Sequence, residues 1–110
     1  MIRDISIVIP IYNEQDNIIQ LIKEVRASLE KKINYEIIIV DDGSDDNTYE
    51  VVNKIKKINK NINIISHKKN YGQSIGLRTG IIEANSEYIV TLDGDGQNDP
   101  RDILKLCLLY

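Results

Sequence analysis

Four short β-branched runs alternate with stretches of helical periodicity, and this alternation restricts the possible folds more than any other feature of the chain. Ile5–Ile9 is an apolar run expected to end at Pro10, whose missing N–H interrupts a central ladder. From about Gln15 to Lys32, Ile18, Leu21, Ile22, Val25 and Leu29 follow the three-four spacing of an amphipathic helix. The second strand, Glu36–Val40, is apolar at four consecutive positions, as a strand covered on both faces should be. Ser44–Thr48 is rich in helix-starting side chains, and Val51, Val52, Ile55 and Ile58 carry the next helical stripe. Ile62–Ser66 reads as strand three, about Gln73 to Asn85 as a third helix, and Tyr88–Leu92 as strand four. Asp99 resembles an N-cap with Pro100 at the first helical position, opening a last helix over Arg101–Tyr110.

Alternating β and α elements with double-sided strands predict an α/β fold, a parallel sheet with right-handed crossovers. The expected strand order is 3-2-1-4. In that order the chain reverses direction between strands one and four, and ligands bind outside the carboxyl ends of strands at such a switch point. Those ends carry Pro10-Ile11-Tyr12-Asn13-Glu14, Asp41-Asp42-Gly43 and Asp93-Gly94-Asp95, so three polar clusters should meet at one edge. Gly72, Gly76 and Gly80 recur at intervals of four and line one face of the third helix. Each interior glycine costs on the order of 1 kcal/mol against alanine. Close packing on the sheet, or room for a ligand beside the helix start, would offset that cost.

Composition excludes several functions. The 110 residues suit one domain, and a net charge of −3 supplies no basic field for a nucleic acid partner, although lysines cluster between Lys54 and Lys69. The one cysteine, Cys107, rules out an internal disulfide or a cysteine-based metal site and is expected to be a small apolar side chain. No apolar run approaches the 18 or so residues of a membrane span. The expected compartment is the cytoplasm, including the cytoplasmic face of a membrane. The apolar ending Leu106–Tyr110 and an exposed strand-four edge suggest a fragment of a larger domain, open to self-association or to a second chain at that edge.

The acidic loop Thr91–Pro100 admits two chemistries. In an extended segment residues i and i+2 face one side, so Asp93 and Asp95 can grip one hard cation, and all-oxygen ligands favour Mg²⁺ or Mn²⁺. The loop can equally be a turn and helix cap. It is not an EF-hand, because position five is Gln97 and the flanking helix and distal Glu are missing. Asp41-Asp42-Gly43 is either a plain turn or a grip on ribose or base, Tyr12 a surface ring or a stacking platform, and Glu14 a helix-start charge or a ligand contact. His67, beside Lys68 and Lys69, is expected to be solvated.

Taken in register, Ser6–Glu14, Ile39–Thr48, Asn70-Tyr71-Gly72-Gln73 and Leu92–Pro100 resemble family 2 glycosyltransferases of the GT-A fold, in particular the dolichyl- or polyprenyl-phosphate sugar transferases. The resemblance implies that Pro10, Tyr12 and Glu14 contact the nucleotide and that Val40 and Asp42 hold its base and ribose. It implies that Asp93 and Asp95 are the catalytic DxD pair. Asp95 and Gln97 then bind the divalent ion, Mg²⁺ or Mn²⁺, and Asp93 faces the donor sugar or the metal. The implied reaction moves a sugar from a UDP- or GDP-linked donor to an acceptor such as a polyprenyl phosphate, with inversion, while the metal stabilises the departing diphosphate. Family members continue past the DxD loop into an acceptor-binding half, so the chain is expected to be the N-terminal donor-binding part and a poor catalyst alone. The alternative is an inactive remnant, or a subunit completed by a partner, that binds nucleotide without turnover. A sugar nucleotidyltransferase would need a glycine- and arginine-rich loop after strand one, and a dinucleotide dehydrogenase would need G-x-G-x-x-G there. Tyr12-Asn13-Glu14 supplies neither.

Overall fold

The computed structural model describes residues 4–94 and residue 102. The expected Asp99–Pro100 helix start, most of the last helix and Cys107 lie outside the described residues. Four strands, β1 (Asp4–Ile11), β2 (Asn34–Asp41), β3 (Ile62–Ser66) and β4 (Tyr88–Thr91), alternate with three helices, α1 (Ile18–Leu29), α2 (Thr48–Ile58) and α3 (Gln73–Glu83). All pairings are parallel and the order is β3-β2-β1-β4, as expected.

The two sheet faces are covered unequally. Ile5, Ile7, Ile9 and Ile11 point to the face covered by α1 and α2, where they pack with Ile37, Ile39, Ile18, Leu21, Ile22, Val25, Leu29 and Val52. The opposite face has a smaller core of Val8, Ile38 and Val40, covered by α3 through Leu77 and Ala84. A buried aliphatic side chain contributes roughly 1.5–3 kcal/mol. Three of them give α3 a thin apolar hold, so other contacts must secure it.

Two carboxylates, one on β2 and one just beyond its carboxyl end, secure it from both ends. At the amino edge, Glu36 accepts hydrogen bonds from Ser6 Oγ (2.5 Å), the Asn85 amide (2.7 Å) and Asn85 Nδ2 (3.1 Å), and Ser6 Oγ accepts from the Ser86 amide. Partial burial opposes ionisation of Glu36, but these hydrogen bonds outweigh it and hold the carboxyl below its ordinary value. They also end α3 at Glu83 rather than Asn85, because the Asn85 amide is drawn off to β2. The carboxylate at the other end, Asp42, belongs to the functional edge.

The structure also corrects the end of the first strand and both ends of the first helix. β1 continues through Pro10 to Ile11 instead of stopping at the proline. Val8 O accepts from Leu92 N on the β4 side and Ile11 O accepts from Asp42 N on the β2 side, so alternate residues serve alternate neighbours. Pro10 shares the parity of Val8, and its missing donor would face β4 beyond the last paired residue, Thr91. The first helix starts at Ile18, not Gln15, because Gln15 is engaged elsewhere: its Oε1 accepts from the Asn47 amide at 2.8 Å. It ends at Leu29 rather than Lys32, where Lys31 turns left-handed at φ 63°.

The glycine face of α3 packs on the sheet. A Cβ at Gly76 would lie 3.1 Å from Pro10 Cβ, and one at Gly80 would overlap Val8 Cγ1 and approach Val40 Cγ2 to 3.2 Å. Val8 is fully buried on a strand flanked on both sides, so it has no room to move away. Gly80→Ala should therefore lose about 1–3 kcal/mol to overpacking, despite the roughly 1 kcal/mol that alanine normally gains in a helix. Gly76→Ala should cost less. Urea unfolding of the two variants beside the wild type checks the order.

Candidate functional site

Register places the polar clusters side by side. Ile11 pairs with Asp41, and Asp41 with Ser66, so the next residues along, Tyr12, Asp42 and His67, form a row beyond the strand ends. Val8 pairs with Thr91, which brings Pro10 level with Asp93. The row opens into a cavity of about 330 Å³. Pro10, Tyr12 and Glu14 line it from β1, Asp42 from β2, Asn70, Gly72 and Gln73 from the approach to α3, and Asp93 and Gly94 from the end of β4.

Asp42 organises one wall. It is only 4% exposed. Its Oδ1 accepts from His67 Nδ1 (2.8 Å) and the Tyr71 amide (3.0 Å), and its Oδ2 accepts from the Gly72 amide (2.8 Å). Burial pushes the carboxyl up, but the hydrogen bonds from His67, Tyr71 and Gly72 prevail and hold it below its ordinary value. This convergence needs glycine at position 43. Gly43 has φ +74°, and a Cβ there would stand 2.6 Å from the Asn70 nitrogen, inside the loop that Asp42 binds. Gly72, at φ +99°, has open space where a side chain would be.

His67 is not the solvated residue its sequence position suggested. Its side chain is 12% exposed, and while Nδ1 donates to the Asp42 carboxylate, Nε2 lies 2.8 Å from the Thr79 hydroxyl on α3. The Tyr71 ring stands edge-on to the imidazole at 5.4 Å. Strand order alone could have signalled this, because the residue after β3 must lie beside the residue after β2. Val40 also departs from expectation. Its side chain is fully buried beneath Gly76 and Gly80 and does not line the cavity.

Next to the cavity, a mesh of hydrogen bonds joins the β1–α1 and β2–α2 loops. Ser44 Oγ accepts from the Asn13 amide (2.9 Å), Asn13 Oδ1 from the Asp45 amide (3.0 Å), and Thr48 Oγ1 from the Glu14 amide (3.0 Å). Thr48 Oγ1 in turn donates to Asp46. Asn13 adopts the left-handed region at φ 54°, which a short polar side chain tolerates. These tying residues have no signature in sequence, since each partner is about thirty positions away.

Across the mouth, Gln73 Nε2 donates to Asp93 Oδ1 at 3.1 Å. A Cβ at Gly94 would overlap Ile11 Cγ2 and reach 3.0 Å from Pro10 O, so glycine lets this loop rest on the end of β1. Asp95 and Gln97 lie outside the described residues. Among the described residues no group of three or more His, Cys, Asp or Glu side chains could hold a metal ion. The charged groups lining the cavity, Glu14, Asp42 and Asp93, are all carboxylates, and the nearby imidazole is turned to Asp42 and Thr79. Oxygen donors of this kind fit a hard divalent cation.

The profile of Glycosyl transferase family 2 matches residues 6–109. The chain belongs to that family. It is 36% identical over 107 residues to an undecaprenyl-phosphate 4-deoxy-4-formamido-L-arabinose transferase of Proteus mirabilis (strain HI4320), a match covering 96% of this chain and 33% of that protein. Among solved structures, S. aureus TarS 1-349 in complex with UDP-GlcNAc superposes with a TM-score of 0.81 at 25% identity, over 96% of this chain and 30% of TarS 1-349. The mannosyltransferase PcManGT of Pyrobaculum calidifontis, in complex with GDP-Man and Mn²⁺, gives a TM-score of 0.79 at 24% identity, over 94% of this chain and 30% of its own. The chain thus spans about a third of the length of these relatives. The fold of this family 2 member is the GT-A arrangement, as its motifs implied.

Asp42→Asn keeps the shape but can accept hydrogen bonds at only one of its two side-chain ends, so a donor would face a donor. A loss of about 1–3 kcal/mol near neutral pH is expected. Because the folded carboxyl sits below its ordinary value, its contribution is present above about pH 4. It is lost as pH falls through the folded value. The wild type's advantage over Asp42→Asn should hold from about pH 5 upward and shrink in more acidic solution. Urea unfolding of both proteins across that range checks the sign.

Proposed function

We propose that this chain binds a nucleotide diphosphate sugar, UDP- or GDP-linked, and serves a transferase that delivers the sugar to a polyprenyl phosphate. The observation that carries the proposal is the single cavity into which the ends of β1, β2 and β4 bring Pro10, Tyr12, Glu14, Asp42 and Asp93. Its position outside the carboxyl ends of parallel strands, at the reversal between β1 and β4, is where α/β sheets bind nucleotides. The Proteus relative, named for an undecaprenyl-phosphate substrate, supports the acceptor class, and the sugar-nucleotide complexes of TarS and PcManGT support the donor class.

The residues divide the work by chemistry. Tyr12, 43% exposed at the rim, offers a ring face to the base. Asp42 Oδ2 accepts one internal hydrogen bond and retains a lone pair for a ribose hydroxyl. Gly72, with no side chain at the start of α3, leaves space for the diphosphate near the helix's first amides. Asp93, Asp95 and Gln97 would hold Mg²⁺ or Mn²⁺. A diphosphate entering a wall of three carboxylates meets like charge, and a bound cation supplies the neutralisation that this wall and the leaving group both require. In the transfer an acceptor phosphate oxygen bonds to the anomeric carbon from the side opposite the diphosphate. The sugar–diphosphate C–O bond breaks with its electron pair leaving on the nucleotide, which inverts the centre. Within such a transferase the described residues form the donor-binding half.

Calorimetric titration with UDP and with GDP, each with and without Mn²⁺, tests the reading. Mn²⁺-dependent binding of at least one nucleotide is expected, weakened tenfold or more, about 1.4 kcal/mol, by Asp93→Ala and by Asp95→Ala. A chain that is folded by circular dichroism and takes neither nucleotide in the presence of Mn²⁺ would refute it.

A further inference from the structure

A second cavity, of about 320 Å³, lies between α1 and α2 on the outside of the helical layer, away from the strand ends. Its floor is apolar, formed by Ile19, Ile22, Ile55 and Ile58, and the charged residues lining it, Lys23 and Arg26, are both cationic. Ile58 is 83% exposed and Ile19 38% exposed, which is costly for isoleucine at a surface with no partner. Arg26 reaches Glu30 only at 4.0 Å, a weak exposed pair. Lys23 enters no ion pair among the described residues.

The surrounding charge is polarised along the molecule. Residues 23–32 and 54–60 carry eight Lys or Arg against two Glu. Both segments lie toward the C-terminal ends of their helices, which in a parallel crossover point away from the acidic cavity mouth. Complementing the helix dipoles would explain cations in the last turns, such as Arg26, Lys56 and Lys57. It explains neither Lys23 and Lys54, placed before the last turns, nor the isoleucine exposed among the cations. Exposed aliphatic side chains set in a cationic field form the pattern that binds an anionic lipid surface: apolar groups enter the headgroup boundary and lysines neutralise phosphates.

We propose that this α1–α2 groove docks the protein on the surface of an anionic phospholipid bilayer. No helix among the described residues is long and apolar enough to cross a membrane, and the groove itself would rest on the bilayer surface. Ile19 and Ile58 enter the interface, while Lys23, Arg26, Lys54 and Lys57 pair with lipid phosphates. The docking face and the nucleotide cavity share no lining residue.

Flotation of the full chain with vesicles tests it, comparing equal parts phosphatidylglycerol and phosphatidylcholine with phosphatidylcholine alone. Binding to the anionic vesicles only is expected, and raising the salt should weaken it. Each neutralised lysine should weaken binding about fivefold, so Lys23→Gln with Lys57→Gln should lose about 25-fold, and Ile58→Ser should weaken it further. These positions are exposed, so thermal unfolding of the variants should match the wild type. Equal binding to both vesicle types, no binding to either, or variants that float like the wild type would each overturn the proposal. So would a dimer in sedimentation equilibrium that Ile58→Ser disperses in a protein that ignores vesicles, because a second copy would then be the occupant.

Discussion

The ionised carboxylate of Asp42, held by three donors from one incoming loop, is the interaction on which the functional edge depends. Hydrogen bonds to a charged group contribute about 1.5–3 kcal/mol each. Together they rival the three buried aliphatic side chains that hold α3 to the sheet. Glu36 makes the matching attachment at the other end of the same strand. The α3 segment is thus tethered by polar contacts at both ends of β2 and rests between them on a narrow apolar strip. The face beneath α1 and α2 differs in kind, being held by a continuous aliphatic core.

Close approach connects packing to chemistry. Gly80 and Gly76 let α3 settle on Val8, Val40 and Pro10, and Gly43 lets the preceding loop pass against the end of β2. Both approaches bring amide donors and Gln73 to the cavity rim, where they meet Asp42 and Asp93. His67 joins the two systems, because one ring nitrogen serves the site and the other reaches Thr79 on the helix. A displacement of α3 is therefore felt at the Asp42 wall of the cavity through a rigid ring.

Much of this could be read from sequence, and the exceptions share a cause. Runs such as Ile5–Ile9 and Ile37–Val40 are unambiguous because β-branched side chains suit strands and both faces are covered. The strand order was expected from the alternation of those runs with helical stretches, the family from the resemblance carried by the motifs, and most of the cavity from where the polar clusters fell after the strands. What failed depended on partners distant in sequence. Pro10 was read as a terminator because the side of the strand it faces is a tertiary fact. His67 was read as solvated because its two partners lie 25 and 12 positions away. Asn13, Ser44 and Thr48 were read only as loop and helix-start residues, because turn and cap side chains have common local uses and only the fold turns them toward one another.

The central position of β1 also shapes how the chain is made. β1 is made before both of its neighbours and can pair with β2 once the intervening crossover closes, but its other flank waits for β4, about 80 residues later and some 4–16 s at ordinary rates of synthesis. Throughout that interval the amides and carbonyls of Ser6 and Val8 that β4 will take are an open edge on the most apolar strand in the molecule. A vulnerable stage for this sheet is therefore the interval between the synthesis of β1 and that of β4, whose pairing covers the open flank.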